Sequence, residues 1–274
     1  MLQTKSVTIN KFKDLIFRII SLKPFRFLIT IFAKKKFKNL KTNSIKPLNL
    51  NIKNDLIIIY RVCPFNNGKS PVFTNDKYKL FCFCLDSLLK SFTKTKPYFI
   101  FILDSCPQSY PNYIKKYHDL EYQILPVKNA GNLSTWLLQL DIASKLNPDK
   151  LIYFAEDDYY YRENAGEKLK EGIKKYDFFS LHNRIDDRKV KKAGFYQTDY
   201  TCLTFGAKAK IIQNKIEILQ KYATFDYTIW LEVKETNFKL YTYIPTLATH
   251  LVKGKLSKGV IWDQVWQKDL QKYL

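Results

Sequence analysis

The chain has 274 residues, 46% of them hydrophobic and 16% aromatic, enough to bury a full core and too apolar for a disordered chain; one catalytic-size domain plus an appendage is the expected organisation. Its 46 Lys and Arg against 25 Asp and Glu give a formal net charge of +21, which calls for an anionic partner (nucleic acid, an acidic membrane surface or a phosphorylated substrate) without choosing among them. The five cysteines, Cys63, Cys82, Cys84, Cys106 and Cys202, are odd in number and lack paired zinc-ribbon spacing, so reduced, buried thiols of a cytoplasmic protein are expected in place of a disulfide or zinc scaffold.

Residues 1–46 stand apart. Twelve Lys and Arg face a single acid, Asp14, and between the charges lie Phe12, Leu15, Ile16, Ile19, Ile20, Phe25, Phe27, Leu28, Ile29, Ile31 and Phe32. Lys23, Pro24 and Arg26 break the apolar run well short of the roughly 20 residues that span a bilayer. No uninterrupted apolar core with a small-residue cleavage site marks a secretory leader either. The segment reads as a basic amphipathic stretch that lies on an anionic membrane surface, each basic group adding on the order of 1 kcal/mol. That places the protein peripherally on the inner face of the membrane. The alternative is a basic helix packed on the domain with solvated lysines.

After a linker at 47–54, the apolar run 55–62 predicts a buried strand that ends at Cys63-Pro64 and the turn-forming Asn66-Asn67-Gly68. A helix is expected over 76–92, a strand over 98–103 that delivers Asp104 at its end, a helix over 110–117 and a strand over 122–125. The Asn129-Ala-Gly-Asn-Leu-Ser134 turn then leads into a helix capped by Ser134 and stopped near Pro148. Next comes the strand from Leu151 into Glu156, Asp157 and Asp158, then a Lys/Glu-rich helix over 163–175, a strand over 177–181 and a charged loop over 182–188 holding Asp186 and Asp187. A strand over 200–205, a helix over 207–222, a helix opening at Asp226 and a strand over 240–244 follow. The chain closes with His250, a Lys/Gly loop (Lys253, Gly254, Lys255, Lys258, Gly259) and Trp262 to Trp266. Strands alternating with helices through short connections are the pattern of βαβ units in a mostly parallel sheet.

The chemistry concentrates at Glu156-Asp157-Asp158. Adjacent carboxylates repel, so such a cluster at a strand end needs a cation or fixed donors against it. In an open α/β sheet, the carboxyl edge of the strands is where ligands bind. A divalent metal site is the functional reading, and a solvated acidic turn the bland one.

Glu156-Asp157-Asp158-Tyr159, Asp104, the Asn129-x-Gly131-Asn132 turn, residues 201–205, Asp226-x-x-Ile-Trp230 and Pro245-Thr-Leu-Ala-Thr-His250, in this order over about 55–266, resemble a glycosyltransferase of the GT-A type, nearest to the large inverting family 2. The acidic cluster departs from the family's Asp-x-Asp in carrying Glu156 first. The resemblance implies a Rossmann-like α/β domain over 47–274 behind the basic 1–46 segment, a nucleotide-sugar donor, a glycan or lipid-linked acceptor and inversion of configuration. Mn²⁺ or Mg²⁺ would sit on Asp158 with Glu156 and His250, stabilising charge on the leaving diphosphate; the imidazole suits Mn²⁺ better. Tyr60, Arg61, Asp104, Asn132, Glu156, Asp157 and Lys253 would line the donor site, Lys253 closing on the diphosphate with Lys255 and Lys258 as a mobile lid; a solvated face is the commoner reading of such lysines. Asp226, or in reserve Glu232, would be the base, although Asp226 is equally well placed as a helix cap. Asp186 and Asp187 are candidates for acceptor contacts, with a plain charged loop as the default reading, and His118 has no role. A metal-dependent nuclease or phosphodiesterase is the competing enzyme class. Against it, the excess charge gathers in the N-terminal segment and no nucleic-acid motif is present, so no nucleic-acid partner is expected.

Overall fold

The apolar strands predicted around 55–62, 98–103, 122–125 and 151–156 pair side by side in a computed structural model that describes residues 47–65, 69–183, 185, 187–222 and 225–273, with Ile31, Lys35 and Lys38. The rest of the amphipathic 1–46 segment, the 66–68 turn and Asp186 lie outside the described residues. The paired strands are β1 (Leu56–Val62), β2 (Tyr98–Asp104), β3 (Tyr122–Val127) and β4 (Leu151–Glu156), mutually parallel in the order β3-β2-β1-β4. Beyond β4 the sheet continues through β8 (Gly206–Lys208), β6 (Phe178–Ser180), β9 (Leu240–Ile244) and β7 (Gly194–Thr198). Of these later pairings only β6 with β9 is parallel. β5 (Tyr159–Tyr161) leaves the main sheet and pairs antiparallel with β10 (Ala248–His250), so that Tyr159 lies opposite His250.

Period-two alternation divides the strands between two apolar layers. Ile57, Ile59, Ile152 and Phe154 face the layer of α3 (Gly131–Ser144), α5 (Ala209–Asn214), α6 (Ile216–Lys221) and α7 (Asp226–Lys234). Ile58, Tyr60, Tyr153 and Ala155 face the layer of α1 (Lys77–Phe92), α2 (Ser109–Ile114) and α4 (Ala165–Lys175). A third cluster seats Trp262 and Trp266 of α8 (Trp262–Leu270) on Leu80 and Phe83 of α1. Among the described residues, no helix is long and apolar enough to cross a membrane.

Some local expectations fail for physical reasons. Ser134 does not cap α3: the helix opens at Gly131, and Asp104 accepts the amides of Ala130 at 2.9 Å and Gly131 at 2.6 Å. Gly131, at φ +76°, turns its N–H toward that carboxylate. Residues 200–205 form no ladder; the strand there starts only at Gly206. Their hydroxyls bond inward instead, Thr201 Oγ1 lying 2.7 Å from Ser180 Oγ. The helix expected over 207–222 begins as β8 and breaks in two at Lys215. All five cysteines are free, but Cys63 and Cys106 are only half-buried.

Gly206 is a packing constraint. A methyl there would come within 2.4 Å of Ile173 Cδ1 and 3.0 Å of the Ile152 carbonyl oxygen. Gly206→Ala is expected to destabilise the domain by about 1–3 kcal/mol, seen as a lower urea midpoint with an unchanged slope.

Candidate functional site

β1, β2 and β4 end together, and a cavity of about 360 Å³ opens at that edge, lined by Arg61, Lys69, Lys77, Asp104, Asn132, the acids Glu156 to Asp158, His250 and Lys255. Phe65, 72% exposed, also lines it.

Each acid has its own cation. Arg61 and Glu156 are register partners on the adjacent parallel strands β1 and β4, and their side chains form an ion pair. Glu156 also accepts from Thr204 Oγ1 at 3.2 Å. The other nitrogen of Arg61 donates to the Asn132 carbonyl at 2.9 Å and its side-chain oxygen at 2.5 Å, joining β1 to the start of α3. Asp157 takes Lys77 Nζ at 2.7 Å and the Cys63 amide at 2.8 Å. Asp158 Oδ2 lies 2.9 Å from His250 Nε2, a contact made possible by the β5–β10 pairing. His250 in turn stacks on Tyr159, centroids 4.7 Å apart and planes 6° from parallel.

Burial and pairing pull on these groups in opposite senses. Burial disfavours the imidazolium of His250, but the Asp158 charge and hydrogen bond outweigh it and raise its pKa to about 10. Burial likewise opposes ionisation of Asp158, and the His250 charge nevertheless holds its carboxyl well below the usual range. Lys77 loses solvation yet is held above its ordinary value by Asp157. Burial also resists ionisation of Cys202, while the neighbouring imidazoles of His182 and His250 bring its thiol well below the ordinary value.

The expected site residues are thus only partly assembled. Arg61, Asp104, Asn132, Glu156, Asp157, Asp158 and His250 meet in one cavity. Tyr60 does not: alternation turns it to the opposite face from Arg61, fully buried and edge-on to Phe101. Lys253 donates its amide to the Lys69 carbonyl at 2.7 Å, and Lys69 and Lys255 line the cavity in its place. Gly259, at φ +90°, packs on Asp187, and Ser257 is buried, so the Lys/Gly loop is pinned at its far end. Asp187 is itself a buried structural acid that accepts from the Thr246 amide at 2.8 Å and from Asn183. Neither proposed base lines the cavity; Glu232 is tied to Lys221 at 2.9 and 3.1 Å, and Asp226 accepts the Tyr227 amide at 2.9 Å in the first turn of α7. His118 is exposed and away from the cavity. Lys77 and Thr204 escaped the sequence reading, since a lysine opening a helix and a threonine in an apolar run carry no distinguishing pattern.

No group of three or more His, Cys, Asp and Glu among the described residues is arranged to hold a metal. Glu156 is paired with Arg61 and accepts from Thr204 Oγ1. Asp158 and His250 are the residues that could hold a cation: their carboxylate oxygen and imidazole nitrogen are 2.9 Å apart, a spacing that neighbouring ligands on an octahedral ion with bonds of about 2.1 Å would have.

No family model and no curated protein matches the sequence. Among solved structures, GalNAc-T7 with UDP, GalNAc and Mn²⁺ is similar at a TM-score of 0.51 and 12% identity, over 81% of this chain and 50% of that one. The fold is GT-A. S. aureus TarS is similar at a TM-score of 0.46 and 13% identity over 69% of this chain and 60% of that one. The 4-diphosphocytidyl-2C-methyl-D-erythritol synthase of Anaerococcus prevotii gives 0.46 and 12% over 80% and 99%. Family 2 in particular gains no support from these likenesses.

The His250 shift fixes a pH dependence. From 6.5 to about 10 the folded protein keeps a proton that the unfolded chain releases, so this contribution is complete below pH 6.5 and lost as pH rises through that window, at up to about 1.4 kcal/mol per pH unit. The Asp158 contribution is present above its unfolded value of 3.8 and is lost only in acid. The stability gap between wild type and His250→Gln, followed by urea denaturation, is expected to be widest near pH 6 and to close toward pH 10. A constant gap would contradict the assignment.

Proposed function

We propose that the protein is a glycosyltransferase that uses a nucleotide-sugar donor and a divalent cation, Mn²⁺ in preference to Mg²⁺. The observation that carries this reading is the Asp158–His250 pair, brought together across 92 residues at the carboxyl edge of the sheet inside a cavity lined by Arg61, Lys69 and Lys255. When bound, the cation would act as a Lewis acid toward the departing diphosphate.

The chain's own residues do the rest. Arg61, oriented by Glu156 and Asn132, and the flanking lysines Lys69 and Lys255 present positive charge to an anionic donor. Asp104 anchors the amides at the start of α3 and so fixes the cavity wall beside Asn132. The exposed ring of Phe65 offers a stacking face to a base. Asp226, with Glu232 in reserve, is the base in this reading; it would take the acceptor hydroxyl's proton as that oxygen attacks the anomeric carbon with inversion. The acceptor is a glycan or lipid-linked sugar, and the basic 1–46 segment would hold the enzyme on an anionic inner-membrane surface.

A screen of nucleotide sugars is expected to find Mn²⁺-dependent donor hydrolysis that Asp158→Asn lowers by about 100-fold or more. Asp226→Asn is expected to lose transfer while keeping Mn²⁺-dependent protection by the donor against thermal unfolding. If wild type hydrolyses no donor and no nucleotide shifts its melting temperature, the proposal fails; turnover of nucleoside triphosphate with a sugar phosphate would redirect it to nucleotidyl transfer. For the membrane assignment, the full chain should sediment with phosphatidylserine-containing vesicles, not with phosphatidylcholine alone, and detach as salt is raised.

A further inference from the structure

The β5–β10 ribbon has two ends. At one, Asp158 and His250 open on the cavity described above; at the other, Arg162 and Leu247 line a second cavity of about 440 Å³ between α1, α4 and α8. The two cavities share no lining residue, and the three residues of ribbon between them span about 10 Å. Tyr243, Pro245, Leu247 and Val265 give the second cavity an apolar wall, and Lys90, Arg162, Glu163, Lys168 and Asp269 bring charge to it.

All of these charges but one are balanced within the protein. Lys90 lies 3.6 Å from Glu163 and 3.5 Å from Asp269. Asp269 also accepts from Tyr160 OH at 2.9 Å and lies 3.4 Å from Lys272, and Lys168 pairs with Glu171 at 2.8 Å. Arg162 is left over: its sequence neighbour Glu163 turns to Lys90, and the guanidinium donates from Nη1 to the Thr246 carbonyl at 3.0 Å. The Arg162 amide donates to the next carbonyl, that of Leu247, at 2.8 Å, so side chain and backbone are both anchored beside the buried Thr246. A half-buried guanidinium fixed in this way has lost part of its hydration and keeps N–H donors in hand. Its planar fork matches two oxygens of a carboxylate or phosphate. One fixed cation beside an apolar wall is the general form of a small-ligand site.

We propose that this cavity is a second ligand site that takes a sugar bearing a phosphate or carboxylate, the oxyanion on Arg162 and the sugar ring against Tyr243, Leu247 and Val265. The anion follows from the charge of the cavity. The sugar rests on the glycosyltransferase reading, in which the ligand is a charged unit of the acceptor, remote from the hydroxyl that reacts.

The test observes the full chain by the ¹⁵Nε–H NMR signals of its six arginines, with those of Arg162 and Arg61 assigned from Arg162→Met and Arg61→Met. Glucose 6-phosphate, glucuronate, inorganic phosphate and glucose are titrated separately at about 0.15 M salt. The Arg162 signal is expected to shift saturably with an anionic sugar, more tightly than with inorganic phosphate and not at all with glucose; the stronger of the two anionic sugars tells phosphate from carboxylate. Calorimetry in an Arg61→Met background, which weakens the first cavity, is expected to show binding about tenfold weaker when Arg162→Lys is added, because lysine keeps the charge and loses the fork. Attraction by the net charge alone would survive that change. An Arg162 signal that no anion moves, or that moves without saturating, would overturn the site, and equal affinity for inorganic phosphate and glucose 6-phosphate would overturn its assignment to a sugar. If no nucleotide sugar is hydrolysed while Arg162 still answers to an anionic sugar, the glycosyltransferase reading fails and the second site stands.

Discussion

Three carboxylates in succession at the end of a buried strand cannot share that space unless each charge is met, and the architecture around the cavity follows from meeting them. Arg61 comes from the neighbouring strand, Lys77 from the first residue of a helix and His250 from a short strand near the end of the chain. Desolvation penalises every member of such a set, so removing one partner leaves an uncompensated buried charge, which is far costlier than losing both. Two of the pairs are closed: Glu156 and Asp157 are each fully engaged by donors from the protein. Asp158 is the exception, with one oxygen on His250 and a side chain 23% exposed toward the cavity.

Sheet order determines which side chains can reach this place. The register of β1 on β4 sets Arg61 beside Glu156 by a lateral step. The β5–β10 pairing does what no local sequence could, setting Tyr159 under His250 and His250 against Asp158. Asp104 closes β2 onto α3 through two backbone amides, so the cavity wall is braced by a carboxylate at a helix N-terminus, where negative charge is favoured.

The sequence was most informative where burial was complete and periodic. The apolar runs at Leu56, Tyr98 and Leu151 announced parallel strands, and the acids after Phe154 announced the site. It was least informative where side chains replaced ladders: Thr201 and Thr204 have the composition of a strand but spend their hydroxyls on Ser180 and Glu156. Tyr60 was misplaced because a residue next to Arg61 on a strand points the other way. The cations of the cluster could not be found by pattern, since each lysine or arginine looks like a solvated one until tertiary pairing selects it. Cys202 read correctly as a buried thiol.

Asp158 raises the pKa of the His250 imidazole it meets at 2.9 Å, so in the proposed reading a divalent ion held by the same two groups would displace a proton. Calorimetric titration of Mn²⁺ into the protein near pH 7.5, repeated in buffers of different ionisation enthalpy, counts the protons released. About one proton per bound Mn²⁺, falling to none in His250→Gln, is the result expected. Mn²⁺ binding that releases no proton, or binding that His250→Gln leaves unaltered, would contradict the account.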